Sequence, residues 1–592
     1  MLLRWIERSR SPFPPNDGKL RHVNESTAMA RVVVERLLAN GVTDVVLAPG
    51  SRSAPLALAC AGAERQGLLE LHIRIDERSA GFLALGIAKS SEVPVAVVCT
   101  SGSAVANLAP AVVEAAYAGV PLIVVTADRP PELRNVGANQ TIDQVGFFGQ
   151  QVRTAIDLIA DSRNSTSSDS WRHLVDRVTR DAIGDEKCGG APVHLNIGLR
   201  EPLVPDDAIE YRYQVEAVAA TTRNPVREPI NYVVGDLGLA KVPARGLVVV
   251  GDVADPEISV HAIELAQACG WPLISEPSGN ALAGTTAIPA ASVLLANDAF
   301  RSAHEPDLVV TVGRFGLSRP IMKVVASAEH HVAIFTGGKD RPDPLRSAAL
   351  MLNAVPRPPV GDAVIPFEAP DQEWLRDWIS ASDRAQRRVQ DAATSADFTG
   401  LSVASVCWNA ATADDAIFVA ASRSVRNLEA VMTVRQFPPA VIGNRGTSGI
   451  DGLVSAAWGA AIARDRSSQA QRTIAILGDL AFLHDHNGLI APTSEPKPNL
   501  TIVVADNNGG GIFSSLEQGA PEFSADFEQV FGTPHNRDLA AIAAATGHPT
   551  TVVTTAEELA AALEGQTGTK IVIARTADRI VEQDQWAAVL DQ

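Results

Sequence analysis

Nowhere in this sequence of 592 residues does an unbroken apolar run reach the roughly 20 residues that a bilayer-crossing helix needs, because Gly, Pro or Asp interrupts each apolar strand early. The N-terminus, MLLRWIERSRSPFPPNDGKLRHVNES, is basic but lacks both a continuous apolar segment and a small-residue cleavage site. It reads as a mobile extension, residues 1–24, and not as a secretory signal. Cysteine is scarce. The five (Cys60, Cys99, Cys188, Cys269, Cys407) are scattered and form no C-x-x-C pair, which argues against zinc and for reduced core thiols in a cytoplasmic protein. Positive charge is in deficit, 50 Lys and Arg against 68 Asp and Glu for a net charge of −18. General attraction to nucleic acid or an anionic membrane is thereby excluded, and any anionic ligand must be held by local arginines or backbone amides. The absence of a short-period repeat excludes solenoids.

What the chain has is alternation. A helix expected after Ser26 carries Met29, Val32, Val33 and Leu37 on one face and stops at Gly41, and the strand Asp44 to Ala48 follows. VPVAVVCTSGSAVANLAPAVVEAAYAGVPLIVVTADRPPE repeats the order of strand, small-residue turn, helix and strand. A second block opens at RGLVVVGDVADPEISVHAIELAQACGWPLIS, and a third contains AIFVAASRS, TIAILGDL, LTIVVADNN and TKIVIARTA. The expected fold class is α/β, with three doubly wound parallel-sheet domains. We expect domains at 25–204, 205–358 and 376–592, with a proline-rich linker at 359–375. The middle domain lacks G-x-G-x-x-G, which argues against a bound dinucleotide.

Ligands of open parallel sheets bind at the carboxyl ends of strands. There, Gly478-Asp479 ends one apolar strand and Asn507-Asn508-Gly509 ends the next, so an aspartate and an asparagine could face one small hard cation. Spacing alone decides nothing, because Gly251-Asp252 and Asn280 show the same separation. The surrounding sequence differs: Asn507 closes an apolar strand, whereas Asn280 follows Pro-Ser-Gly. Glu77 lies between the strand Leu71 to Ile75 and a Gly/Ala-rich helix, a setting that also suits an ordinary N-terminal cap. Ile450, among small residues in NRGTSGIDGL, could equally be core.

The Gly-Asp … Asn-Asn-Gly pattern resembles the metal–diphosphate motif of thiamine diphosphate enzymes, with Leu480 where many members carry glycine. The resemblance implies metal ligation by Asp479, Asn507 and the Gly509 carbonyl, with a one-residue shift to Asn508 and Gly510 left open. The implied cofactors are thiamine diphosphate and Mg²⁺, with Mn²⁺ as a substitute, and Ile512 and Phe513 join the cofactor site. Glu77 is implied as the catalytic carboxyl on the far pyrimidine nitrogen, and Ile450 as the wedge that bends the cofactor.

Within that class, APGSRSAPLALA, DERSAGFLALGIAK, TSGSAVANLAPAVVEA, TADRPPELRNVGANQTI, PVHLNIGLREPL, NRGTSGIDG and GDLAFLHDHNGL … NNGGGIF resemble the 2-succinyl-5-enolpyruvyl-6-hydroxy-3-cyclohexene-1-carboxylate synthase family of menaquinone biosynthesis, from about Ser26 to the C-terminus. The resemblance implies decarboxylation of 2-oxoglutarate on thiamine diphosphate and 1,4-addition of the succinic semialdehyde carbanion to isochorismate. Two dianionic substrates need concentrated arginine. Family motifs put Ser51, Arg52, Arg129, Gln140, Arg319, Ser422, Arg426 and Arg445 at substrate positions, although a lone arginine is commonly just solvated. A homodimer, or a tetramer as a dimer of dimers, with active sites between subunits is also implied. The middle domain is implied to be a Rossmann-like spacer without its own catalytic centre. No nucleic-acid partner and no transmembrane segment are expected. Two alternatives stand beside this reading: another thiamine-dependent 2-oxo acid decarboxylase or acetolactate synthase-type lyase, and a non-catalytic regulatory protein that has kept the fold.

Overall fold

The computed structural model describes the chain except residues 1–22, 162–166, 185–188, 206–210, 217–238, 240, 254, 336, 358–368, 467–470, 566 and 592. Most of the expected extension, Cys188 and most of the expected linker lie outside the described residues. Strands rich in Val, Ile and Leu form three sheets, all parallel, whose inner strands are buried on both faces. The first contains β1 (Asp44–Leu47), β2 (Glu70–Ile73), β3 (Val95–Cys99), β4 (Leu122–Asp128), β5 (Ala155–Ile159) and β6 (Val193–Gly198), in the order β2-β1-β3-β4-β6-β5. The second contains β7 (Gly246–Val250), β8 (Leu273–Ser275), β9 (Leu308–Val312), β10 (His330–Ile334) and β11 (Leu350–Leu352), in the order β11-β10-β9-β7-β8. The third contains β12 (Ala416–Val419), β13 (Ala440–Ile442), β14 (Thr473–Gly478), β15 (Leu500–Asp506), β16 (Thr550–Val553) and β17 (Lys570–Arg575), in the order β13-β12-β14-β15-β17-β16. Counted from their own first strands, both outer sheets run second, first, third, fourth, sixth, fifth. The outer domains thus share one topology although no sequence repeat announces it.

That likeness extends to how they meet. The helix Glu77–Ser91 follows β2, and its counterpart Leu453–Asp465 follows β13. Both are dense in Ala and Gly, and they lie against each other at backbone distance: a Cβ on Gly86 would fall 2.1 Å from the Ala456 carbonyl oxygen, and one on Gly459 would fall 2.2 Å from that of Leu83. Such an approach is open only to residues without a side chain. The surrounding core is shared by the two outer domains, with Phe82, Leu85 and Ile87 from one and Leu453, Trp458 and Ile502 from the other. The last residues of the expected linker are a correction. Gln372 already begins the helix Gln372–Ala393, because Asp371 caps it by accepting the Glu373 and Trp374 N–H groups. Trp374, Trp378, Ala385 and Val389 then join a core that the second and third sheets share. Among the described residues, no helix is long and apolar enough to cross a membrane.

Candidate active site

The parallel register of β14 and β15 pairs Gly478 with Ala505, which brings the next residues, Asp479 and Asp506, to adjoining strand ends. Asp479 is 3% exposed. Its Oδ1 accepts the Leu480 N–H at 2.6 Å and its Oδ2 the Gly509 N–H at 2.8 Å. His535 Nε2 stands 3.3 Å from Asp479 Oδ2 and 3.5 Å from Asp506 Oδ1. One ligating atom from each of Asp479, Asp506 and His535 lies within 4.8 Å of the others. Burial pushes the Asp479 carboxyl up to about 6; the Gly509 and Leu480 amides pull it down, Asp506 adds to the rise and His535 opposes it. Two carboxylates this close, one of them buried, are suited to a hard divalent cation, which relieves their repulsion and the desolvation of Asp479. A Cβ placed on Gly478 would meet nothing within 4 Å, so there is room beside the pair.

The asparagines and glycines of the expected ligand set lie beside this pair, with contacts of their own. The Asn507 side chain turns to the C-terminal helix Arg579–Leu590, its Nδ2 donating to Glu582 Oε2 at 3.2 Å. In the alternative register, Asn508 has φ +62°, donates to Asn536 Oδ1 at 2.9 Å and accepts the Asn536 N–H at 2.8 Å. Gly509 reaches Asp479 through its N–H. The carboxylate that sequence reasoning missed is Asp506. A signal for it exists in the sequence: the two neighbouring strands end in the matching pairs Gly478-Asp479 and Ala505-Asp506. His535 had no such signal, arriving from a segment 56 residues beyond Asp479. Beyond Gly510, Ile512 and Phe513 stand half-buried in a 3₁₀ turn, and the Phe513 ring lies 5.8 Å from that of Phe531.

Glu77 opens the first domain's contact helix after the Asp76 cap, which accepts the Arg78 N–H at 2.8 Å. It is half-buried, its carboxylate has no hydrogen-bond partner among the described residues, and its charge adds to the burial that pushes the Cys99 thiol up. Its neighbours are fixed to the segment after Asp479: Arg78 donates to the His484 carbonyl at 2.7 Å and Ser79 to Asp485 Oδ1 at 3.5 Å. Asp485, buried, also accepts the Ser455 N–H at 2.7 Å, so one carboxyl joins both contact helices to the Asp479 turn. His486 Nδ1 donates to the Leu483 carbonyl, and His484 lies 3.9 Å from Asp451.

The arginines fall into two groups. At the ends of β1, β3 and β4, Arg52 is 6% exposed and donates to the Leu199 carbonyl at 2.9 Å, while Arg129 donates to that of Asn139 at 2.8 Å. Burial, then the charge of Arg129, holds the Arg52 guanidinium below its usual pKa. Gln140, at φ +52°, is locked to Ser101 by two hydrogen bonds, Nε2 to the Ser101 carbonyl at 3.0 Å and Ser101 Oγ to its own carbonyl at 2.9 Å. Ser51 is exposed beside them. At the ends of β12 and β13, Arg426 donates to the Ser422 carbonyl at 2.7 Å. Its pKa is lowered by burial, then by Arg445 and Arg423. Like charges gathered and partly desolvated in this way await anions. Arg319 stands apart, its side chain 75% exposed and reaching Glu517 at 4.0 Å.

The look-alike pair has another use. Lys89 of the first domain reaches Asp252 Oδ2 at 3.3 Å, and the Asn280 side chain brackets the Val441 backbone, Nδ2 to its carbonyl at 2.9 Å and Oδ1 from its N–H at 2.7 Å. Both residues dock the middle domain.

Three family descriptions match the chain: "Thiamine pyrophosphate enzyme, N-terminal TPP binding domain" over residues 27–147, "Middle domain of thiamine pyrophosphate" over 239–419, and "Thiamine pyrophosphate enzyme, C-terminal TPP binding domain" over 426–573. Among curated proteins, the 2-succinyl-5-enolpyruvyl-6-hydroxy-3-cyclohexene-1-carboxylate synthase of Saccharopolyspora erythraea is 42% identical over 563 residues, 94% of this chain and 96% of the relative. The synthase of the same description from Thermobifida fusca is 43% identical over 569 residues, again 94% and 96%. That from Rhodococcus erythropolis is 41% identical over 541 residues, 90% of this chain and 93% of the relative.

Proposed function

Because the chain belongs to the 2-succinyl-5-enolpyruvyl-6-hydroxy-3-cyclohexene-1-carboxylate synthase family of thiamine diphosphate enzymes, we propose that it takes CO₂ from 2-oxoglutarate and joins the succinic semialdehyde unit to isochorismate by 1,4-addition, as a transferase of menaquinone biosynthesis. The chain is a thiamine diphosphate-dependent enzyme that forms carbon–carbon bonds. The single observation that carries the reading to this chain is the pairing of buried Asp479 with half-buried Asp506 at adjoining strand ends of the matched C-terminal domain. Asp479 and Asp506 would hold the Mg²⁺ or Mn²⁺ of the diphosphate, with Gly509 and Ile512 alongside. Thiamine diphosphate, when bound, supplies an acidic carbon and an electron sink for decarboxylation.

Glu77 would share its proton with the pyrimidine ring, a role suited to a half-buried carboxyl with no other partner among the described residues, and Ile450 would fix the bend between the rings. The groups Arg52 with Arg129 and Arg426 with Arg445 would pair with substrate carboxylates, fixing orientation as well as charge. Ser51, Gln140 and Ser422 flank them, and Arg319 joins only as an outer contact. We place each active site between subunits of a homodimer or of a dimer of dimers. The exposed apolar residues of the first domain favour this: Ile75 is 76% exposed two residues before Glu77, and Val136 is 66% exposed beyond Arg129. A cytoplasmic location completes the proposal, favoured by the buried free thiols of Cys60, Cys99, Cys269 and Cys407.

The test is mass-spectrometric detection of the adduct after incubation with thiamine diphosphate, Mg²⁺, 2-oxoglutarate and isochorismate. The adduct is expected only when both substrates are present, and Glu77→Gln should bind the cofactor yet lose about 10²-fold or more in turnover. CO₂ release that ignores isochorismate and yields no adduct would refute the substrate assignment.

A further inference from the structure

We propose that Glu114 is a positioning residue that sets the shape of segment 443–450, an inference that rests on the function proposed above. Glu114 lies on the first-domain helix Ala109–Ala118 and is 2% exposed. A carboxylate so placed must be met by donors or left at a heavy desolvation cost. Its donors all come from one turn of the third domain, 332 and 333 residues away: Oε1 accepts the Gly446 N–H at 2.7 Å, and Oε2 accepts the Thr447 N–H at 2.6 Å and the Thr447 hydroxyl at 2.8 Å.

The turn is pressed flat on the helix. A Cβ on Gly446 would fall 2.6 Å from the Glu114 carbonyl oxygen and 2.8 Å from the Ala118 nitrogen. Segment 443–450 has no helix or strand of its own, so nothing internal fixes its course. Lys89 holds its start by donating to the Gly443 carbonyl, and Glu114 holds its middle. Arg445 and Ile450 flank the clamped residues. Beside them Asn444, 3% exposed, keeps both amide atoms without a hydrogen-bond partner among the described residues, as suits a group presented to a ligand. The clamp therefore acts on chemistry through Arg445 and Ile450, and Glu114 itself touches no reacting atom.

The experiment compares Glu114→Gln, Glu114→Asp and Glu114→Ala in the full-length holoenzyme. Gln keeps the shape but turns an NH₂ toward the Thr447 donors. Glu114→Gln should raise the isochorismate KM and lower kcat about tenfold or more, because small misplacements of binding groups are costly. Its Mg²⁺-dependent cofactor affinity and thermal midpoint should stay at wild-type values, and Glu114→Asp should restore part of the loss. Wild-type kcat and KM in both Gln and Ala variants would overturn the proposal. So would a loss of activity that merely follows a fallen thermal midpoint with KM unchanged. A wild-type protein that makes no adduct refutes the functional reading instead, and the clamp is then judged by hydrogen exchange of the Gly446 and Thr447 amides. Faster exchange in Glu114→Gln supports the clamp, and equal exchange overturns it.

Discussion

Asp479 and Asp506 illustrate how much a single residue position decides. Each is an ordinary turn-former by type, yet parallel pairing of β14 with β15 presses them together, and burial lifts Asp479 to about 6. Replacing Asp506 with Ala should weaken Mg²⁺-dependent cofactor binding by about tenfold or more, whereas Asn507→Ala should act less directly because its amide is turned to Glu582. A fluorescence-quenching titration with thiamine diphosphate at fixed Mg²⁺ separates the two, and equal losses would place Asn507 in the ligand shell beside Asp506. The sign of the pH dependence follows from the raised pKa. Below about 6 a proton competes with the metal for Asp479, so apparent metal affinity should fall with falling pH and level off above it. The type of this site was legible in the sequence, because Gly-Asp and Asn-Asn-Gly end neighbouring strands. Asp506 was not picked out, since which residues face Asp479 depends on strand pairing.

At the scale of elements, the contact helices Glu77–Ser91 and Leu453–Asp465 bind the outer domains. Their Gly/Ala-rich sequences were legible as helices at strand ends, but nothing local said that one would lie on the other. The same limit hid Glu114, whose partners lie in another domain, and the start of the helix Gln372–Ala393, where a proline-rich approach masked the Asp371 cap. Alternating strands and helices revealed the three parallel sheets, whereas the common strand order of the outer pair is a property of the fold alone. The backbone-level contact carries its own test. Gly86→Ala puts a methyl 2.1 Å from the Ala456 carbonyl oxygen, which no rotamer change can relieve. The helices must separate, costing about 1–3 kcal/mol as overpacking does. Thermal denaturation of the Gly86→Ala variant should show a lower midpoint, and cofactor affinity should fall with it, since Glu77 and Ser79 ride on the displaced helix. An unchanged midpoint would mean that the helices are not in backbone contact.

For the molecule as a whole, the first and third domains are also joined by an ionic cluster that includes two residues of the β2 region, His72 and Arg74, both buried. His72 on β2 presents Nε2 to Asp44 Oδ1 at 3.0 Å and Nδ1 to Glu495 Oε1 at 3.2 Å, so both ring nitrogens face carboxylates. Arg74 grips Glu495 through both carboxylate oxygens, at 2.7 and 3.0 Å, and Arg466 holds Asp44 at 2.6 Å. Burial alone would lower the His72 pKa, but the hydrogen bonds to Asp44 and Glu495 outweigh it and the net change is upward. Burial likewise tends to raise Asp44 and Glu495, and the bonds from His72, Arg466 and Arg74 bring both below their usual values. The signs then differ. The His72 contribution is complete below its ordinary 6.5 and is lost as pH rises through the raised value, each tenfold gain in proton affinity being worth about 1.4 kcal/mol. The contributions of Asp44 and Glu495 are complete above their ordinary 3.8 and 4.5 and are lost as pH falls through the lowered values. Docking of the two domains is therefore strongest from roughly 4.5 to 6.5. At fixed protein concentration, the wild-type thermal midpoint should decline as pH rises from about 6.5 toward 9, and His72→Gln should start lower in acid and lack that decline. A wild-type midpoint that stays level across this range would remove His72 as a charged link between the domains.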